Sequence, residues 1–286
     1  MDRNTVLFGG PTLNWSRMSN NKATAEDLYR YHTENLRALK TAKGQIAPLA
    51  KAAIATQSKT ELSSLLRLYA FLVGAWAEVR LQKVLYEPTA FTDAERTSIR
   101  SIDAQLEQWK RVVEVAFRKH YAIAEKAALS PNLNFTARAR YEAIIELLNS
   151  DLKLVITVRN RLAHGQWAYA LTSSCDAVEN NMMKELKQEN FLSLQFKDDL
   201  IGYIAELINT LVVSQATFER DFDKLYKKME QIRINLHRRK YSKYATLLIT
   251  NHQRGRATRR GHDKTLPSET GGAPGIPTDL SSNVDE

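Results

Sequence analysis

Apolar residues recur at intervals of three and four over residues 60–86, the spacing that collects side chains on the faces of an α-helix. They cover so much of the helix surface that we predict a central helix, nearly surrounded by others. The residues with this spacing are Leu62, Leu65, Leu66, Tyr69, Leu72, Val73, Trp76, Val79 and Val84.

The rest of the body has the same helical character. The chain contains only 11 glycines and 7 prolines, and its C-terminal end holds a disproportionate share, which favours long helices over many short strands. Thr24 is the expected N-cap of the first helix, and the capping-box pattern of Thr92 and Glu95 begins the third. We predict an all-α fold, with helices at about 24–55, 60–86, 92–129, 136–164, 177–189, 195–213 and 216–248.

Composition divides the chain into three segments. Residues 1–23 contain a Gly-Gly-Pro turn and an Asn/Ser cluster, which predict an irregular N-terminal arm. Residues 24–250 form the predicted all-α domain. Residues 251–286 are rich first in Arg and Gly, then in Pro, Gly, Ser and Thr, so they can bury almost nothing and are predicted to be a disordered tail.

The net charge of +9 is concentrated in one segment. Residues 232–264 carry ten Lys or Arg and one acid, whereas the rest of the chain has as many acidic as basic residues. Such a run favours a polyanionic partner, nucleic acid first and a membrane surface second. The alternative is a solvated helix end followed by a tail.

Cysteine usage and apolar runs bear on the compartment. Cys175 is the only cysteine, which excludes an internal disulfide and a Cys-rich zinc site. The first residues lack the charged and apolar regions of a signal peptide, and the longest apolar run, Tyr69 to Ala77, is too short to span a bilayer. We therefore expect a cytoplasmic protein without membrane association.

The strongest candidates for catalytic residues lie at the predicted end of the fourth helix. Arg159 and His164 are five residues apart, and Asn160 lies one helical turn before His164. Gly165 suits the left-handed residue that ends many helices, which would place His164 at the helix end. A guanidinium, an amide and an imidazole can thus converge on one small ligand.

This motif resembles that of the HEPN superfamily of helical proteins. Its ribonuclease members carry an Arg, a polar residue directly after it, and a His after a gap of about four to six residues. Over about residues 60–213 the resemblance implies a HEPN-like helical bundle with additional flanking helices. It also implies a metal-independent endoribonuclease that uses Arg159, Asn160 and His164, and that usually forms a homodimer. A toxin or anti-phage defence role follows from the same resemblance, with an antitoxin or regulatory protein as partner.

The residue types suit RNA cleavage without a metal or cofactor. The reaction needs a base for the 2′-hydroxyl proton, an acid for the leaving 5′-oxygen and positive charge near the phosphorus. His164 has an intrinsic pKa suited to proton transfer, and Arg159 can bind two phosphate oxygens. Asn160 can orient the imidazole or the phosphate. One histidine cannot easily serve both ends of the reaction, whereas a two-fold dimer brings two together.

Four other residues are weaker candidates. Arg161, Trp167 and Tyr169 flank the motif and are candidates for substrate binding, the two aromatics by stacking on bases. Aromatics at this spacing are more often packing residues. Glu78 follows Trp76 on the central helix and is a candidate for supporting the motif, although a lone acid there is more often a hydrogen-bond partner at the edge of the core.

Two other functional classes stay open. The chain can be a non-catalytic HEPN-like module that binds RNA, a nucleotide or a protein. It can also be a helical scaffold whose basic tail binds nucleic acid without sequence preference. Growth arrest by the wild-type protein but not by His164→Ala separates the ribonuclease from the first of these classes. The second predicts that deletion of residues 251–286 abolishes function while the motif is dispensable.

Overall fold

A computed structural model describes residues 22–265 of the chain, and helices account for most of them. Within this range there is no β-strand, and only an isolated antiparallel bridge joins Leu171 to Val178. The all-α prediction is confirmed. The helices are α1 (Ala25–Ala55), α2 (Lys59–Leu85), α3 (Asp93–Arg100), α4 (Gln105–His120), α5 (Leu129–Asn132), α6 (Phe135–Leu147), α7 (Lys153–Ala163), α8 (Asn180–Gln188), α9 (Phe191–Val213), α10 (Gln215–Arg238) and α11 (Tyr241–Thr265).

Helix α2 lies at the centre of the fold, as its apolar spacing predicts. It packs against α1 on one side, α7 on another and α9 on a third. Among the described residues, α2 is also the one helix that meets the length and composition of a membrane span. Its position in the core accounts for the same apolar composition, because a helix contacted on several sides needs apolar residues around most of its circumference.

Local capping signals predict several helix starts correctly. The Thr24 hydroxyl accepts a hydrogen bond from the Asp27 backbone N–H, and the Asp27 carboxylate accepts one from the Thr24 backbone. The same reciprocal pair joins Thr92 and Glu95 at the start of α3. Each pair satisfies backbone donors that the first turn of a helix leaves free.

The single helix predicted from Thr92 to about Leu129 is wrong. The chain forms α3, breaks over residues 101–104, and then forms α4, which ends at His120. Ala122, just beyond α4, has a left-handed backbone with φ of 51°. An L side chain disfavours this conformation, so the residue type gives no local signal for the break.

The fourth predicted helix is interrupted but reaches its predicted end. Asn134, rather than Thr136, caps α6, and its side chain accepts a 2.8 Å hydrogen bond from the Ala137 N–H. A π-helical turn, Leu148–Leu152, then joins α6 to α7. Because the π turn adds a residue to one helical turn, it resets the phase of α7 relative to α6. Helix α7 ends at Ala163, directly before the predicted site histidine.

The C-terminal boundary differs from the prediction. The helix expected over about 216–248 divides into α10 and α11, and α11 packs against α1. Since α11 continues to Thr265, residues 251–265 are helical, and the prediction that the disordered tail begins at 251 is wrong. Arg and Ala are strong helix formers, and they outweigh the two glycines, Gly255 and Gly261, in this stretch. The rest of the predicted tail (266–286) and most of the predicted arm (1–21) lie outside the described residues.

Candidate functional site

The motif occupies the capped end of α7. Gly165 has a left-handed backbone with φ of 76°, as predicted, so His164 is the C-cap residue. The Gly165 N–H donates to the Leu162 carbonyl at 3.1 Å, and the Gln166 N–H donates to the Arg161 carbonyl at 3.0 Å. These two bonds form a Schellman motif, which ends the helix sharply. The His164 side chain is therefore presented at an exposed helix end.

Arg159 is held on two sides. Its guanidinium forms an ion pair with Glu78 of α2 and donates a 2.9 Å hydrogen bond to the Asn160 side-chain oxygen. The Arg159 side chain is only 23% exposed, and its Nε has no hydrogen-bond partner. Burial lowers the pKa of the Arg159 guanidinium. An arginine fixed in this way presents a defined direction of positive charge.

Gly74 makes this arrangement sterically possible, and sequence reasoning did not select it as a site residue. A Cβ atom at Gly74 would overlap the Arg159 Cβ and lie 2.8 Å from its Cγ and 3.2 Å from the Val155 carbonyl oxygen. Only glycine lets α2 and α7 approach so closely at this point. The available signal was an isolated glycine inside the most apolar helix, which often marks close backbone contact.

Arg161 faces the loop that follows α7. It donates to the Leu171 carbonyl and forms an ion pair with Glu179, both at 2.5 Å. Its side chain is 21% exposed. Arg161 therefore clamps residues 166–179, and this geometry gives it a structural task besides the predicted contact with substrate.

The two predicted aromatic residues differ in their freedom. The indole N–H of Trp167 donates to the Leu162 carbonyl at 3.0 Å, which fixes one edge of the ring. Arg67 of α2 donates to the Trp167 carbonyl at 3.3 Å and fixes the backbone as well. Tyr169 is 64% exposed and Trp167 is 40% exposed. Both rings therefore offer faces to solvent beside the motif.

The structure thus brings Arg159, Asn160 and Glu78 into direct contact and places His164 one turn away at the helix end. The His164 imidazole forms no hydrogen bond with any described residue. The described part of the chain also contains no group of three acidic, His or Cys side chains that could hold a metal ion. One chain therefore offers one exposed proton-transfer group and one fixed cation on an open surface.

Comparison of the chain with protein-family models, curated protein sequences and solved structures gave no match.

Proposed function

We propose that the protein is a metal-independent endoribonuclease of HEPN type, with Arg159, Asn160 and His164 as its catalytic residues. The observation that supports this most is the fixed Arg159, paired with Glu78 and Asn160, one turn before an exposed histidine at a capped helix end. A fixed cation beside a free imidazole is what a phosphoryl transfer with general acid–base catalysis needs.

In this mechanism the imidazole of His164 takes the proton of the 2′-hydroxyl. The 2′-oxygen then attacks the adjacent phosphorus, and the bond from phosphorus to the 5′-oxygen breaks. The products are a 2′,3′-cyclic phosphate and a 5′-hydroxyl. Arg159 stabilises the charge that develops on the phosphoryl oxygens, and Asn160 holds the Arg159 guanidinium in position.

The leaving 5′-oxygen needs a second proton donor. We include in the proposal a homodimer in which His164 of a second copy serves this role, because a two-fold axis places identical residues opposite each other. The exposed position of the helix end and of Tyr169 beside it is compatible with such a pairing. In the cell, the proposal places this dimer in the cytoplasm, where an antitoxin or another regulatory protein would restrain it.

The direct test is cleavage of a defined RNA by the purified protein in the presence of EDTA. We expect 2′,3′-cyclic phosphate ends, and a loss of rate of about 100-fold or more for His164→Ala. His237→Ala is a matched control, because His237 is also exposed but lies at the end of α10. Loss of cleavage in EDTA, or products with 3′-hydroxyl ends, would contradict this mechanism.

The basic segment supports RNA as the substrate. In the part of α11 whose side chains are described, Arg254 and Arg256 are exposed. Truncation after Thr250 removes five Lys or Arg residues, so the salt dependence of RNA binding should become shallower, by at most about 0.7 per lost phosphate contact. The cleavage ladder should stay the same, because the removed segment contains no Phe, Trp or Tyr on which an unpaired base could stack. An unchanged slope would show that it does not touch phosphate.

A second candidate function is a non-catalytic module that binds RNA, a nucleotide or a protein. It is favoured by the ion pairs of both motif arginines within the chain, Arg159 with Glu78 and Arg161 with Glu179. Expression of the wild-type protein and of His164→Ala in cells separates the two. An active toxin stops growth only with the wild-type protein, whereas a binding module acts alike in both forms.

A further inference from the structure

A second site lies on the other side of α2 from the motif. Helices α1, α2 and α9 line an open surface cavity of about 730 Å³, which falls within the range of roughly 300–1,000 Å³ that is usual for small-molecule sites. None of the motif residues lines it. Its walls combine three aromatic side chains with charged groups of both signs, the composition that specific small-molecule sites often have.

Two glycines inside helices line this cavity, although a larger side chain would fit at either position. Gly44 lies in α1 and Gly202 in α9, and a Cβ atom built at either position would meet nothing within 4 Å. Glycine destabilises a helix interior relative to alanine, so a helix normally has a side chain where there is room for one. The missing side chains leave open the space between α1 and α9.

The charged groups of the cavity are unevenly satisfied. Asp198 is saturated, because one oxygen pairs with Lys43 and the other accepts a 3.1 Å hydrogen bond from the Tyr69 hydroxyl. Arg80 forms no ion pair with a described residue, and its buried Nε has no hydrogen-bond partner. The negative charges of Glu87 and Glu206 favour the charged form of Arg80, but neither carboxylate forms a hydrogen bond with its Nε. A guest with an anionic acceptor would satisfy this donor.

Asp199 is an exposed carboxylate that lines the same cavity. Partial desolvation and the neighbouring negative charge of Asp198 raise its pKa, while Lys43 is the cation that opposes the shift. Glu206 is a further carboxylate on α9, about two turns along and on the same side of the helix. This wall therefore favours a guest with a positively charged donor, whereas the α2 wall with Arg80 favours an anionic group.

Aromatic rings stand beside both charged walls. Trp76 precedes Arg80 by one turn of α2, and Tyr203 follows Asp199 by one turn of α9. Lys43 lies over the Trp76 ring at 5.2 Å and Lys228 over the Tyr203 ring at 5.0 Å, but both rings stay partly exposed. A flat apolar group that enters between the helices would contact the exposed part of these rings, with the charged groups at its other end near Arg80 and Asp199.

We propose that this cavity binds a zwitterionic small molecule of the aromatic amino-acid type. Its carboxylate pairs with Arg80, its ammonium pairs with Asp199, and its ring packs against Trp76 and Tyr203 in the space left by Gly44 and Gly202. This site is separate from the proposed ribonuclease site and does not depend on it.

The first measurement is titration of the full-length protein by calorimetry with L-phenylalanine, L-tyrosine and L-tryptophan. We expect at least one of the three to bind with one molecule per chain. The matched halves of phenylalanine, phenethylamine without the carboxylate and 3-phenylpropionate without the ammonium, should bind at least about tenfold more weakly, because each leaves one charged wall unpaired. The proposal is wrong if none of the three amino acids binds, or if either half binds as well as the whole.

Cavity-filling variants locate the binding. Gly44→Leu and Gly202→Leu should each reduce affinity at least about tenfold by occupying the space that the ring needs. Gly255→Leu is the control, since Gly255 is also a helical glycine with nothing within 4 Å but lies in α11, away from the cavity. Circular dichroism checks folding, and because Gly44 is exposed, Gly44→Leu decides the matter if Gly202→Leu fails to fold. The proposal is overturned if Gly44→Leu or Gly202→Leu folds and binds the amino acid as tightly as the wild type.

Discussion

Glycines lie at both faces of helix α2, but their surroundings are opposite: one is closely packed and the others border open space. On the face toward α7, Gly74 is required because any side chain would collide with Arg159. On the face toward α1 and α9, the glycines are Gly44 and Gly202 of the neighbouring helices. A Cβ atom at either position would meet nothing within 4 Å. The first face is packed so closely that it holds a charged side chain in one orientation. The second leaves room beside a charged side chain, Arg80, whose Nε lacks a hydrogen-bond partner.

The difference shows how one helix can support two unlike sites. Close packing and an ion pair restrict motion, which suits a group that must point at a developing charge. An open cavity with unsatisfied groups suits a guest that brings its own charges. The structural role of a glycine in this sequence therefore depends on the residues that pack around it.

The close contact between α2 and α7 at Gly74 is tested by Gly74→Ala. We expect a loss of roughly 1–3 kcal/mol in the free energy of unfolding, because α2 and α7 must move apart to accommodate the new methyl group. RNA cleavage should fall as well, since Arg159 moves with α7. Urea denaturation and initial cleavage rates are the two measurements. A variant as stable and as active as the wild type would show that the close contact at Gly74 is not needed.

The ion pair on the packed face is tested by Glu78→Gln. This change keeps the side-chain shape but removes the charge that orients Arg159, so kcat/KM for RNA cleavage should fall about tenfold. Stability should change by less than about 1 kcal/mol, because Glu78 is 40% exposed and such ion pairs contribute little.

Glu179→Gln is the matched control for Glu78→Gln. Glu179 is 37% exposed and pairs with Arg161, the other arginine of the motif. We expect its cleavage rate to stay close to that of the wild type. Equal losses in the two variants would indicate a general effect of charge rather than orientation of Arg159.

On the open face, Gly44→Ala and Gly202→Ala should stabilise the protein. Each replaces a helix-interior glycine where a Cβ meets nothing, so we expect a gain of about 0.5–1 kcal/mol per site. Urea denaturation measures both beside Gly74→Ala, which carries the same substitution. A loss of stability at either site would mean that the open space is filled in solution.

Asp199 is expected to make a small, pH-dependent contribution to the free energy of unfolding. Its pKa is raised above the ordinary 3.8 in the folded protein, so the folded state holds this proton more tightly than the unfolded state. The contribution of Asp199 to stability is therefore full below about pH 4 and is lost as the pH rises through the folded pKa. Because Asp199 is exposed and solvent screens its charge, Asp199→Asn should be only slightly more stable than the wild type at pH 7, by about 0.5 kcal/mol or less, and equal to it at pH 3. Thermal unfolding at both pH values measures the difference.

The parts of the fold that were predictable depend on residues close in the chain. The caps at Thr24 and Thr92 and the left-handed Gly165 each follow from a few neighbouring residues, and each is found where predicted. The break after α4 and the π turn before α7 were not predictable. Ala122 takes an unfavourable backbone conformation that only surrounding packing can hold, and a π turn has no strong local pattern.

The candidate site was predictable only in part, for the same reason. The placement of Arg159, Asn160 and His164 at a helix end follows from their spacing and from Gly165. The partners of the two arginines did not follow, because Glu78 and Glu179 lie on other elements. Arg161 was a candidate for substrate contact, and its clamp on the loop of residues 166–179 became visible only when Leu171 and Glu179 were placed beside it.

By itself, the sequence determined the helical class, the central position of α2 and the capped end that presents His164. These features depend on periodicity and capping, in which side chains act on a backbone only a few residues away. Only the tertiary structure decided that Gly74 lies under Arg159, that Glu78 pairs with it, and that α1, α2 and α9 leave a cavity around Arg80. Those features depend on how helices cross, and the crossing is set by the fit of whole helix surfaces, which no short pattern of residues encodes.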